Sequence, residues 1–261
     1  MIKNLINHFF RIEKVNKHNV MHFCGLKLRL RINKNNTKCR YKIAGQNNKI
    51  IIIENGKERE LRRFEKIKGL KIDIGDSNNL IRINKPAKYI NSKIFIRAND
   101  SCICIGKSDF LHNLQINVGC GNSQFLEIGD HTNCCGLNIF LNEHKAGCII
   151  GKNCLFSSPI TIWSTDGHVI TEQETKKIIN HIKTPVTIGN NCWIGTFCIL
   201  TKNAILPNYT ICGAGSVITK KFEQEHTLLA GNPAKIIKEG INWSPKTPTE
   251  FNNIIQGETN A

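Results

Sequence analysis

The chain has 261 residues, a net charge of +16 and 40% hydrophobic residues. That length sustains a large core in one or two domains, and no stretch approaches the ~18 consecutive apolar residues that a membrane span requires. The basic balance invites an anionic partner, but the cations are spread along the chain. There is no helix-turn-helix, zinc-finger spacing or aromatic-rich RNA-binding strand. Nucleic acid is therefore not expected, and an anionic substrate or cofactor accounts better for the charge.

At the N-terminus Asn4, Asn7, His8 and Arg11 interrupt any apolar core, so a cleavable secretory signal is not expected. Ile2, Leu5, Ile6, Phe9 and Phe10 fall on one helical face. They predict a helix that packs on its own domain or, alternatively, makes a weak membrane-surface or partner contact. Leu26-Lys27-Leu28-Arg29-Leu30-Arg31 alternates as a half-buried strand. Residues 1–42 thus read as an N-terminal helix and strand region. Ile50 to Ile53 followed by Asn55-Gly56 predicts a strand and a turn. Residues 58–68 are charged and fit either a short helix or a further strand.

From residue 188 onward the chain counts in sixes. Ile188, Ile194, Leu200, Leu206 and Cys212 open successive units, and Cys192, Cys198, Ala204, Thr210 and Ser216 sit four places later. Period six fits neither a helix nor an alternating strand; it marks a β-helix with three flat strands per turn. Anchors of the same kind begin near Ile74-Gly75-Asp76 and return at Ile105-Gly106, Val118-Gly119, Ile128-Gly129 and Ile150-Gly151. Ile150, Phe156 and Ile162 keep step, as do Ile128, Cys134 and Phe140. Glycine in second place is expected where the chain turns a corner.

The rhythm breaks once. Ile162 and Ile188 are 26 residues apart, not a multiple of six. Residues 163–185 must leave the helix as a loop, and long loops on rigid scaffolds tend to be functional. The loop contains Ser164-Thr165-Asp166-Gly167-His168, where a histidine can serve as general base and an aspartate could orient it. His144 and His181 lie nearest the loop and are reserve candidates. The twelve cysteines contain no Cys-x-x-Cys. Cys154, Cys192 and Cys198 occupy small-residue slots, so they read as space-filling thiols in a reducing cytoplasm and no metal site is expected. After Val217 the hexads end, and a polar tail follows residue 240.

The hexads, the Asp166-Gly167-His168 loop, residues 186–195 around Cys192-Trp193-Ile194-Gly195, residues 213–220 and Ala230-Gly231-Asn232-Pro233-Ala234-Lys235 together resemble the left-handed β-helix acyltransferases. Closest in look are the bacterial acetyltransferases of sugars and surface polysaccharides. The resemblance covers residues 105–240 clearly and 70–105 more weakly. It implies a mainly β fold: a left-handed parallel β-helix over residues 43–240 with the excursion at 163–185, a small N-terminal helix and strand region, and a short C-terminal tail from 241. It further implies a homotrimer with acetyl-CoA in a groove between subunits. His168, 25 residues ahead of Trp193, matches the catalytic histidine, with Asp166 beside it. Trp193 matches the position next to the donor, and Gly195, Thr196, Ala214, Thr219, Lys220 and Lys235 match positions lining the coenzyme. Trp163, at the loop entrance, could line the acceptor site or support the loop.

These residues lead to an O-acetyltransferase acting on a glycan hydroxyl, including that of an acidic, sialic-acid-containing polymer. His168 takes a proton directly in a ternary complex, and backbone N–H groups near Gly195 or along the loop stabilise the oxyanion. Alternatives are N-acetylation of a nucleotide-linked amino sugar and a non-catalytic β-helix that binds glycans or serves as a scaffold. A zinc carbonic anhydrase on the same helix lacks an obvious histidine trio. The expected location is cytoplasmic, including the periphery of the inner membrane.

Overall fold

A computed structural model describes residues 10–15, 18–23, 26–30, 41–62 and 65–258. Contacts divide the chain into two compact units, Met1–Lys38 with Trp243–Ala261, and Cys39–Asn242. In the larger unit the strands Leu70–Ile74, Leu80–Asn84 and Ala87–Ile90 make one turn. Ser92–Ile96 then returns to lie parallel to Leu70–Ile74. Repetition gives three eight-stranded sheets, which are the three faces of a parallel β-helix. On the first face Ile72, Ile94, Ile116, Ile139, Ile162, Leu200 and Ile218 pair rung to rung and are fully buried. Burial of such a side chain is worth roughly 1.5–3 kcal/mol, so the stacked column is the main source of stability. All five opening residues of the hexads, and all five small residues four places later, are buried as well.

The turns come in two lengths. On the first face Ile72 pairs with Ile94 and Ile94 with Ile116, a separation of 22 residues that recurs in the cross-rung hydrogen bonds. After the excursion Ile188 pairs with Leu206 and Ile194 with Cys212, a separation of 18. The long turns carry five-residue strands such as Leu114–Val118, and the short turns two-residue strands such as Trp193–Ile194. The phase of six therefore slips upstream. Phe140, expected in step with Ile128 and Cys134, faces outward, and Ile139 takes the core position.

The corners also differ from expectation. The backbone turns at the fourth residue of each hexad, where φ is positive: Asn191 at 55°, Phe197 at 61°, Asn203 at 62°, Tyr209 at 56° and Gly215 at 74°. Asparagine tolerates this region and glycine prefers it. The glycines in second place have no such φ; they are required because adjacent rungs touch there. A Cβ on Gly151 would lie 2.6 Å from the carbonyl carbon of Gly189, and one on Gly189 would lie 2.5 Å from the amide nitrogen of Asn208. The thiols of Cys134, Cys148, Cys154, Cys192, Cys198 and Cys212 are buried in the core.

Both ends of the helix are closed by antiparallel strands. Lys49–Glu54 and Lys57–Glu60 form a hairpin through Asn55 and Gly56, both at positive φ, so the start of the 58–68 stretch is strand. Thr227–Gly231 and Ala234–Glu239 form the hairpin at the other end. In the smaller unit Phe10–Val15, His18–Phe23 and Leu26–Leu30 form an antiparallel meander. Residues 1–9 of the expected N-terminal helix lie outside the described residues, and Phe10 opens a strand rather than continuing a helix. The helix Pro248–Glu258 starts with a capping box: the Thr247 hydroxyl accepts from the Glu250 N–H at 3.3 Å, and Glu250 accepts from the Thr247 N–H at 2.9 Å. No described helix is long and apolar enough to cross a membrane.

The close approach of rungs gives a direct test. Gly189→Ala is expected to destabilise by about 1–3 kcal/mol, because its clash is with backbone. Gly213→Ala, whose nearest neighbour is the Ala230 methyl at 3.3 Å, should cost much less. Urea denaturation midpoints of the two variants check the difference.

Candidate active site

The excursion leaves the first face after Trp163 and rejoins the second face at Val186. It starts pinned: the buried Ser164 hydroxyl donates to the Phe140 carbonyl at 2.8 Å, and the buried Thr165 hydroxyl donates to Glu143 at 2.5 Å. Thr165 Oγ1 also accepts from the Gly167 N–H at 3.0 Å, closing the turn that carries His168. Beyond it the loop folds on itself as a short arm, with Thr171 bridged to Ile178 and the Ile179 N–H donating to the Ile170 carbonyl at 2.9 Å. Asn203 Oδ1 accepts from the N–H groups of Lys183 and Thr184 at 2.8 and 3.1 Å, anchoring the return.

Asp166 is held by groups other than His168. Its Oδ2 accepts from Lys202 Nζ in an ion pair and from Asn180 Nδ2 at 2.9 Å. Asn180 Nδ2 also donates to the His168 carbonyl at 2.8 Å, and Lys202 Nζ donates to the Asn180 carbonyl at 2.9 Å. Asp166 thus acts on the backbone around His168, not on its imidazole, which is exposed. Partial burial pulls the Asp166 carboxyl up, but the hydrogen bonds from Lys202 and Asn180 and the lysine charge outweigh it. The result lies below the usual carboxylate value. Lys202 and Asn180 were not singled out from sequence. The signal for Lys202 is faint: a lysine at the hexad corner on the rung after the loop's return.

The coenzyme candidates lie mostly at another corner. Gly195 and Thr196 follow the third-face strand Trp193–Ile194, and Ala214 follows Ile211–Cys212 one rung on. The two corners stack, the Gly215 N–H donating to the Thr196 carbonyl at 2.8 Å. A Cβ on Gly195 would lie 2.6 Å from the Cys212 carbonyl oxygen, so only glycine fits. The Gly195 N–H itself donates to that carbonyl at 2.8 Å, which removes it as an oxyanion donor. Ala214 and Gly215 are exposed, leaving an open strip of backbone at this corner. Lys235 pairs with Ala230 in the closing hairpin below it. Thr219 and Lys220 instead follow the first-face strand Val217–Ile218, on the corner from which the loop departs, and Lys220 lies 5.4 Å above the Phe222 ring. Trp193 is half-buried on the third face, its indole N–H 3.5 Å from Ser157 Oγ. Trp163 stacks on Phe140 at 4.0 Å on the outer first face, while His144 and His181 are exposed.

One chain therefore brings Gly195, Thr196, Ala214 and Lys235 to one corner and Asp166, His168, Thr219 and Lys220 to the next, with the first face between them. Among the described residues no group of three or more His, Cys, Asp and Glu is arranged to hold a metal ion.

A parallel β-helix of six-residue hexads with one histidine-bearing excursion is the architecture of the hexapeptide-repeat proteins. No protein-family model matches the chain. The polysialic acid O-acetyltransferase of Neisseria meningitidis is 32% identical over 170 residues, 65% of this chain and 77% of that protein. The galactoside O-acetyltransferase of Escherichia coli is 33% identical over 90 residues; the match spans 34% of this chain and 43% of that enzyme. The crystal structure of a polysialic acid O-acetyltransferase superposes with a TM-score of 0.66 and 26% identity, covering 84% of this chain and 99% of that one. The chain belongs to the hexapeptide-repeat β-helix O-acetyltransferase family.

The Lys202 clamp predicts a pH-dependent loop. The folded Asp166 value lies below the unfolded one near 3.9, so the clamp contributes fully above the unfolded value and is lost as pH falls through the folded value. Lys202→Met should open the loop already at neutral pH. Limited proteolysis within residues 169–183 should then be several-fold faster than in the wild type, and Lys202→Arg should restore protection.

Proposed function

We propose that the protein is an acetyl-CoA-dependent O-acetyltransferase acting on a hydroxyl of a cell-surface polysaccharide or related glycan, acidic sialic-acid-containing polymers included. The observation that carries this reading is the match to a polysialic acid O-acetyltransferase over 77% of its length. It is joined by the exposed His168 on a loop held at its base by Glu143, Asn180 and Lys202. The donor fits the open corner in kind: small residues at Thr196, Ala214 and Gly215 leave backbone accessible to a thin, chain-like ligand. Lys220 and Lys235 supply cations for its phosphates. Trp193 covers the donor beside this corner.

In this reading His168 accepts the proton of the acceptor hydroxyl as the hydroxyl oxygen forms its bond to the thioester carbonyl carbon. When the carbon–sulfur bond breaks, the imidazolium returns that proton to the departing thiolate. His168 ends neutral, and the acetyl group ends as an ester. Asp166 positions the turn carrying His168 and takes no proton. Because His168 and the donor strip lie at different corners of one chain, the working unit is a homotrimer in which each site is shared by two copies. The described cysteines are free, which suits the cytoplasm as the place of reaction.

With acetyl-CoA and a glycan panel, thiol release should accompany mass gain of the glycan, and mild alkali should remove the added group as expected for an ester. His168→Ala is expected to lower kcat by ~10²–10⁴-fold with an unchanged unfolding temperature. Full activity in that variant would overturn the mechanism.

A further inference from the structure

The outer surface of the first face carries two columns of side chains in strict register. One runs Lys71, Lys93, Gln115, Asn138, Thr161 and the other Asp73, Phe95, Asn117, Phe140, Trp163. Their composition changes along the helix. At the far end Lys93 and Arg97 flank the Phe95 ring at 4.6 and 4.1 Å, and Lys71 lies one rung beyond. In the middle Asn117 and Asn138 are part-exposed amides that make no side-chain hydrogen bond among the described residues. At the near end Phe140 and Trp163 stack, Trp163 is 40% exposed, and the loop bearing His168 departs directly after it. Outward residues on a β-helix face are free of packing demands. Aromatic rings, uncommitted amides and cations in that order are what an acidic carbohydrate chain would meet with stacking, hydrogen bonds and charge.

We infer that the outer first face is an acceptor track that holds an anionic glycan lengthwise. The reacting residue sits at His168, the neighbouring sugars lie over Trp163, Phe140, Asn138 and Asn117, and a distal acid group reaches Lys93 and Lys71. The track rests on the reading of His168 as the base, and it adds acceptor length and charge as determinants. The Trp163 and Lys71 rungs are four strand spacings apart, about 19 Å, so a single sugar cannot reach both ends. Only a chain gains from the lysines.

The test uses the full-length protein, acetyl-CoA and sialic-acid oligomers of graded length, with a neutral glucan series beside them. In the wild type KM should fall with oligomer length for the acidic series alone. The gain should shrink on raising salt from about 50 to about 300 mM, because the cations are solvent-accessible. Lys71→Ala/Lys93→Ala should raise KM for long acidic oligomers about tenfold with kcat and the KM for acetyl-CoA unchanged. Asn117→Leu should raise it at lengths that do not reach the lysines. Lys57→Ala, on the hairpin that edges the second face, is the control. A length-independent KM, an equal gain with neutral glucan, or a double variant within twofold of wild type would overturn the track. So would a double variant that alters oligomeric mass and leaves length dependence intact, since the face would then be a contact between copies. Absence of transfer to any acceptor would instead overturn the proposed function.

Discussion

Everything in the larger unit depends on one constraint: each rung must sit directly on the one before it. Parallel pairing fixes the rise, so each position on a face meets the same position one turn later. Buried aliphatic residues then stack on their own kind, from Ile72 through Ile162 to Ile218. At the corners the backbones approach so closely that Gly151 and Gly189 cannot carry a Cβ. A single slipped residue would move the core column to solvent on every later rung. This rigidity is what makes the scaffold useful. It holds two corners and a face in a fixed relation and frees the outward residues for chemistry.

The excursion uses that rigidity. Ser164 and Thr165 tie its start to the rung of Phe140 and Glu143, while Asn203 and Lys202 tie its return and its base to a rung beyond it. Four contacts to the scaffold hold a long polar segment that has little core of its own. They bear on the backbone around His168 and leave the imidazole ring facing solvent. The loop therefore trades stability of its arm, where Val169, Ile170, Ile178 and Ile179 remain exposed, for access to whatever lies opposite.

Legibility in the sequence followed the same physics. After residue 186 a turn is 18 residues and each strand only two, so every inward position falls on the count of six. Before residue 163 the turns are 22 residues or a little longer. Their five-residue strands bury alternate side chains, and a sixfold count drifts out of phase; Phe140 was misplaced for that reason. The hexad glycines were legible as a pattern but not in cause, since a contact with the next rung leaves no local mark. Likewise the break at 163–185 exposed the loop. The Lys202–Asp166 clamp joins residues 36 positions apart and depends on register alone. The N-terminal meander was read in part, from the alternation at residues 26–31.

The account turns on a site divided between two chains, with His168 from one and the small-residue corner at Ala214 from another. Complementation tests this directly. His168→Ala and Ala214→Trp chains, each nearly inactive alone, are co-expressed with different tags and purified through both. If the site is shared, mixed assemblies contain interfaces that join an intact His168 to an open corner, and a sizeable part of wild-type activity returns. If doubly tagged assemblies form but remain as inactive as either parent, both halves of the site belong to one chain and the account is wrong.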